Sequence, residues 1–370
     1  MALLLGLSTA LAQQPALDPR SSLKIDFPKD SPLTFVSADM GDSVTTARGN
    51  AVLIDLRTSL TLRNSAARRL RGVTLLVTAQ EVTAGGKASV SVPSLNVASG
   101  ETFPVRVNLR LLRPMFPAGP LVVVNLDGVL FEDLSFYGPN KLNSRRSMTV
   151  WELEARRDRR HFKSVLAAKG QEALRQQILE SMARQSERPR LDVQVSRGGR
   201  ATTVEAERQL QFTFLSMPDS PVEPVGGTAR IAGNEARAPN LEVRNRSERA
   251  VSYFEVGWII RDSEGRDFLA GSVPASDPDL KLAPGQKSRV LQDASLRFSA
   301  SPSQPLSIAG MTGFVSQVEF ADGSIWIPTR AALSEPGLSR VVAPSVEEQR
   351  LTEIYRRKGL AALVAELDKF

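Results

Sequence analysis

Residues 318–328 read VEFADGSIWIP, and residues 129–139 read VLFEDLSFYGP. Both carry Phe-x-Asp-x-Ser-x-aromatic, with Asp322 standing 189 positions after Asp133. Either an active site or a piece of scaffold is written twice. In the later stretch Val318 and Phe320 precede Asp322-Gly323, while Ile325 and Ile327 follow it. Apolar alternation around Asp-Gly predicts a tight hairpin, because aspartate tolerates turn geometry and glycine supplies a positive φ at no steric cost. The earlier stretch has Leu134 where the glycine stands, which predicts a turn of another type or one residue longer. A catalytic aspartate needs a second acid, base or nucleophile beside it, and neither stretch brings one. The motif reads as scaffold.

The same spacing joins Lys169-Gly170-Gln171-Glu172-Ala173-Leu174 to Lys358-Gly359-Leu360-Ala361-Ala362-Leu363. Upstream, LTLRNSA at 60–66 answers LEVRNRS at 241–247, and VASGETF at 97–103 answers LAPGQKS at 282–288. The spacing drifts slowly, as loop insertions would make it drift, so the chain reads as a tandem duplication. Each copy opens with strand patterns. Phe103, Val105, Val107, Leu109 and Leu111 alternate with polar residues or proline, as do Ala294, Leu296 and Phe298. Phe254, Val256, Trp258 and Ile260 share one face, answered in the first copy by Val73, Leu75, Val77 and Ala79. Between the copies Leu210, Phe212 and Phe214 alternate as one strand would. Turn signals stand at Gly85-Gly86, Ser99-Gly100, Asn125 to Gly128, Pro284-Gly285 and Asp322-Gly323.

After each set of strands comes a helical pattern: Phe162, Val165, Leu166, Ala173, Leu174 and Ile178, then Leu351, Ile354, Tyr355, Ala362, Leu363 and Leu367. Gly170 and Gly359 interrupt both at the same place, which predicts two short helices or one bent helix in each copy. Ser345 is the expected cap, with Glu347 and Glu348 in the first turn. The two apolar stripes are expected to dock on their own sheets, with binding of a partner helix as the second-ranked use.

Trp258, one strand after Leu241 and Val243, resembles the buried strand-C tryptophan of immunoglobulin-like domains. The paired cysteines and tyrosine-corner sequence of that family are absent, so the resemblance is to cysteine-free bacterial immunoglobulin-like domains. It implies a mainly β fold with α: two tandem immunoglobulin-like antiparallel β-sandwich domains, each followed by a helical segment. The expected organisation is a signal peptide at 1–12, a sandwich at 22–140, a helical segment at 141–188, a linker and second sandwich at 189–335, and a helical segment at 336–370. The leader rests on an apolar run ending at Ala10-Leu11-Ala12, a small-x-small cleavage pattern, although no positive residue precedes it.

Composition narrows the chemistry. The 370 residues include no cysteine, which removes disulfides, thiolate metal sites and cysteine nucleophiles. A single histidine, His161, cannot build a multi-histidine metal site and reads as a surface helix position. No cofactor, metal or catalytic group is assigned. Asp277 with Asp279, and Asp127, read as solvated turns, since neither segment has a calcium-loop spacing. No apolar run is long enough for a transmembrane helix. The net charge of +7 comes from arginines scattered along the chain, with no nucleic-acid motif. Arg68, Arg69 and Arg71 beside one Arg-Asn stretch, and Arg244, Arg246 and Arg249 beside the other, are the candidate contacts for an anionic ligand. Arg156, Arg157, Arg159 and Arg160 read as a solvated helix face balanced by Glu152, Glu154 and Asp158. The expected function is a non-catalytic exported interaction or assembly protein of a bacterial cell envelope, periplasmic or secreted, with a protein partner. The alternative is a module that binds an anionic glycan or lipid surface through those arginines, and a hydrolase with an unrecognised site ranks third.

Overall fold

The structure is a computed structural model that describes residues 19–80, 85–115, 119–187, 191–197, 207–274, 280–291, 294–301, 304–339 and 341–370. The expected leader with Ala10 and Ala12, and the Asp277–Asp279 turn, lie outside the described residues. Strand makes up 46% and helix 25%, so the fold is mainly β with helices. Two compact units emerge, Met1–Glu152 and Leu153–Phe370, and the division falls inside a helix that runs Ser144–Glu187.

In the first unit Ala51–Asn64 forms the spine of a four-stranded sheet, pairing with Leu33–Asp39, with Val44–Arg48 and along its whole length with Thr102–Pro114. A five-stranded sheet runs Leu23–Asp26, Val122–Phe131, Leu70–Thr78 and Lys87–Val92, with Phe136–Tyr137 folded back on Val122–Phe131. Leu56, Leu60, Leu62, Val105 and Val107 of one sheet share a core with Val73, Leu75, Val77, Val124 and Val129 of the other. The alternation read around Phe103 survives as a strict burial alternation over residues 102–108, because a pleated strand turns every second side chain to one face. Asn125 to Gly128 is not a turn. The strand continues through it, and Gly128 is needed because the Phe136 ring packs where a Cβ would stand. Asp127 is correspondingly buried, accepting from Ser144 Oγ at 2.6 Å and from the Leu142 amide at 3.2 Å.

In the second unit a seven-stranded sheet is ordered Asp192–Arg197, Ala294–Ser301, Glu235–Asn245, Val222–Ala232 and Arg208–Gln211, with Lys287–Leu291 and Gln304–Pro305 at its side. The five-stranded sheet contains Thr213–Phe214, Ile308–Phe320, Val251–Asp262 and Asp267–Pro274, with Ile325–Trp326 folded back on Ile308–Phe320. Phe254, Val256, Trp258 and Ile260 face Leu241, Val243, Leu296 and Phe298 in one core. The Trp258 indole lies 4.6 Å from the Phe212 ring, centroid to centroid. The alternation at Leu210, Phe212 and Phe214 is not one strand: Arg208–Gln211 pairs in the larger sheet, and Thr213–Phe214 crosses to pair parallel with Ile308–Phe320.

The long helices are Ser144–Glu187 and Val346–Asp368, each broken by one glycine in an extended, positive-φ conformation. Ser345 caps the second by accepting from the Glu348 amide at 3.0 Å. Their apolar stripes do not dock on the sheets as expected. Phe162, Leu174 and Ile178 of the first helix form one fully buried cluster with Leu351, Leu363 and Leu367 of the second. Those six residues are three pairs at the 189-residue spacing. A surface that resembles its partner can close on it isologously, which gives each stripe a better-fitting cover than a sheet.

Candidate functional site

The six arginines singled out in the sequence divide into three environments. Arg68 and Arg249 occupy the same one. Asn64 is buried and donates from Nδ2 to the carbonyls of Arg68 and Val97 at 2.8 and 3.1 Å, while its Oδ1 accepts from the Ala66 amide. Asn245 does the same with the carbonyls of Arg249 and Leu282, at 2.7 and 3.0 Å, and with the Ser247 amide. Each asparagine thereby closes the tight turn that delivers the arginine. Arg68 then donates to Asp133 at 3.3 Å and to Ser135, with its guanidinium 3.9 Å from the Phe131 ring centroid. Arg249 donates to Asp322 at 2.7 Å and to Ser324, 3.8 Å from the centroid of Phe320. The repeated aspartate thus ties a hairpin to a neighbouring turn.

Asp133 and Asp322 also shape their own hairpins. Each accepts from the amide of the serine two residues on, Ser135 at 3.0 Å and Ser324 at 2.9 Å. In the second hairpin that amide, the Ser324 hydroxyl and Arg249 hold the carboxyl down at about 2. In the first, the Ser135 hydroxyl, its amide and Arg68 lower Asp133 in the same way. The expected difference in turn type is absent. Leu134 donates to the Phe131 carbonyl as Gly323 does to Phe320, and Leu134 adopts φ 65° against 80° for Gly323. Tertiary ties on both sides force leucine into a conformation that glycine takes freely.

Arg69 and Arg71 have no counterpart. Both donate to Asn96 Oδ1, at 3.0 and 2.8 Å, and Arg71 is buried with Glu132 at 2.6 Å and Glu152 at 3.8 Å. The equivalent positions in the second copy are Ala250 and Ser252, so this cluster is not duplicated. Arg244 and Arg246 are exposed on the Glu235–Asn245 strand and just after it, and neither makes an ion pair among the described residues. The arrangement therefore joins Arg69 and Arg71 on Asn96 and leaves Arg68 and Arg249 each tied to its own hairpin, apart from Arg244 and Arg246 in bonding.

Of the helical arginines only Arg160 is exposed, Arg156 and Arg157 are half-buried and Arg159 is buried. Arg159 is 4% exposed and donates to Glu347 Oε1 at 3.2 Å, and Arg350 grips the same carboxylate with two bonds of 2.8 Å. Asp158, fully buried, accepts from Arg157 at 2.9 Å, from Arg330 at 3.2 Å and from the Ser345 hydroxyl at 2.6 Å. Glu348 takes Arg330 at 2.6 Å and Arg184 at 3.0 Å. Burial alone would raise the Glu348 carboxyl, but Arg330 and then Ser181 and Arg184 hold it below its ordinary value. Removing one partner from such a network strands a buried charge, at a typical cost of ~3–5 kcal/mol. The network registers one helix against the other. In the sequence its members read separately, Arg157, Arg159 and Asp158 as a balanced helix face and Glu347 and Glu348 as a helix-dipole effect. His161 is half-buried rather than on the surface, within 3.3 Å of Gln177 and edge-on to Phe162, and burial lowers its pKa.

Among the described residues no group of three or more metal-ligating side chains comes together, and no helix is long and apolar enough to cross a membrane. An open cavity of about 460 Å³ adjoins Arg68, Arg69, Ser99, Glu132 and Asp133, and one of about 320 Å³ lies beside Asp26, Asn125, Asp127 and Lys141.

No family model matches this chain, and no curated protein matches it. Among solved structures it aligns with a beta-glucosidase from Kluyveromyces marxianus, Se-Met labelled and in complex with glucose. The TM-scores are 0.15 and 0.16 and the identities 10% and 9%, over 72% and 73% of this chain. The chain spans 45% of the length of each of those structures. Likeness at that level carries no argument about fold or activity.

Proposed function

We propose that this chain is a non-catalytic exported protein of a bacterial cell envelope, periplasmic or secreted, that serves interaction or assembly with a protein partner. Its two sandwiches are immunoglobulin-like and in tandem, at 22–140 and within 189–335, followed by helical segments at 141–188 and 336–370. The observation that supports this best is the use made of the recurring residues. The asparagine turn, the Arg-Asp-Ser tie and the broken helix are all internal struts, which is how a scaffold uses recurrence. The tandem reading rests on those three struts standing 181 to 189 residues apart.

A second reading, capture of an anionic glycan or lipid surface, is favoured by Arg244 and Arg246, which are exposed and free of ion pairs among the described residues. Crosslinking in the native envelope followed by mass spectrometry tests the first reading, with a reproducible protein partner as the expected result. Binding to anionic vesicles or polysaccharide that falls steeply with salt, and that Arg244→Gln with Arg246→Gln abolishes, would replace it with the second. Arg249 is best left intact in that test, since its loss would also loosen the hairpin at Asp322.

A further inference from the structure

The buried ionic network in the second unit borders a cavity of about 30 Å³, enough for a water or two or for the oxygens of a small anion. Arg157, Arg184 and Arg330 line it together with Glu348 and Ser345. Three guanidiniums and one carboxylate stand in the lining itself, with Asp158 behind it pairing with Arg157 and Arg330, and Glu154 close enough to Arg157 to feel its charge.

N–H donors are left over. A guanidinium has five N–H donors in a fixed fork. Arg157 uses three bonds, two on Asp158 and one on the Pro328 carbonyl, and Arg330 uses three, on Asp158 and Glu348. Arg184 uses one, on Glu348, and its side chain is 43% exposed. All three line the same small cavity with N–H donors to spare by this count. Leu333, Val342 and Pro344 complete the wall and keep the local dielectric low.

We propose that this cavity binds a small inorganic oxyanion, phosphate or sulfate, as a structural ligand held by the three guanidiniums. Planar guanidinium forks lining one small cavity suit a tetrahedral oxyanion better than a chloride or a polymer chain. The ligand ties the loop before Ser345 to both long helices, so it stabilises the helix pair without any catalytic step.

The test is thermal melting of the full chain with phosphate replacing chloride at constant ionic strength, alongside a ³¹P line-broadening titration. The expected result is a midpoint raised by about 2–4 °C and saturable broadening. Arg184→Gln, with its fold checked by circular dichroism, should lose both effects. Arg184→Lys, which keeps the charge but not the fork, should weaken binding about ten-fold. The double variant Arg244→Gln with Arg246→Gln should keep both effects. Equal shifts in chloride and phosphate, broadening that never saturates, or an effect that survives Arg184→Gln but disappears in the strand double variant would each overturn the proposal.

Discussion

Gly170 and Gly359 hold one backbone conformation, φ 80° with ψ −176° and φ 79° with ψ −176°, at the point where each long helix breaks. That corner brings Leu174 and Ile178 back beside Phe162, and Leu363 and Leu367 back beside Leu351. Only glycine occupies this region of backbone space readily.

Alanine at either glycine tests the corner cleanly, because a Cβ built there meets nothing within 4 Å. The cost is therefore backbone strain alone, ~1–3 kcal/mol for each substitution. Urea unfolding of Gly170→Ala and Gly359→Ala should show similar losses, and an unchanged midpoint in both would mean the helices run straight.

The hairpin pair gives an opposite-signed test. Leu134→Gly releases a leucine from φ 65°, a conformation that costs a side chain ~1–2 kcal/mol, against a smaller rise in unfolded-chain entropy. A stabilisation of up to ~1 kcal/mol is expected, whereas Gly323→Leu should destabilise by ~1–2 kcal/mol. Melting midpoints of the two variants should move in opposite directions.

Asn64 and Asn245 are the buried hubs of their turns. Asn245→Ala leaves the carbonyls of Arg249 and Leu282 and the Ser247 amide without that partner. Each unsatisfied buried group costs ~1–3 kcal/mol, so a total loss of ~2–4 kcal/mol is expected, with Asn64→Ala close behind. Exposed Arg246→Ala serves as the control and should stay within ~0.5 kcal/mol of the parent.

Burial pushes the Glu154 carboxyl up to about 7 from its ordinary 4.5, with Arg157 pulling it down and Asp158 adding to the rise. The folded state thus holds this proton more tightly than the unfolded chain. Stability from the group is complete below pH ~4.5 and is lost as pH rises through 7. Between pH 5 and 8 the loss is at most ~2–3 kcal/mol, and less to the extent that the half-buried side chain keeps solvent contact. Glu154→Gln should flatten that slope in denaturant titrations run across the interval, while a slope unchanged from the parent would assign the pH dependence elsewhere.

Much of what depends on neighbours along the chain was legible in the sequence, although the turn read at Asn125 to Gly128 and the single strand read at Leu210 to Phe214 were not what formed. Strand faces at Val73, Leu75 and Val77 and at Phe254, Val256 and Trp258 follow from the two-residue period, and all six are buried as read. The Asp322-Gly323 hairpin, the Ser345 cap and the glycine breaks follow equally from local preferences of single residues. What the tertiary structure decided is where distant segments meet. The Leu134 conformation comes from ties to Phe131 and, through Asp133, to Arg68, which override the local preference of leucine. The fate of the two apolar stripes turned on shape: a periodic stripe states that it will be buried, not against what. The charges on Asp158 and Arg159 read as solvated because charge alone favours water, and those on Glu347 and Glu348 as a helix-dipole effect; only their meeting across two helices, 188 residues apart for Arg159 and Glu347, offset the cost of burial through mutual pairing.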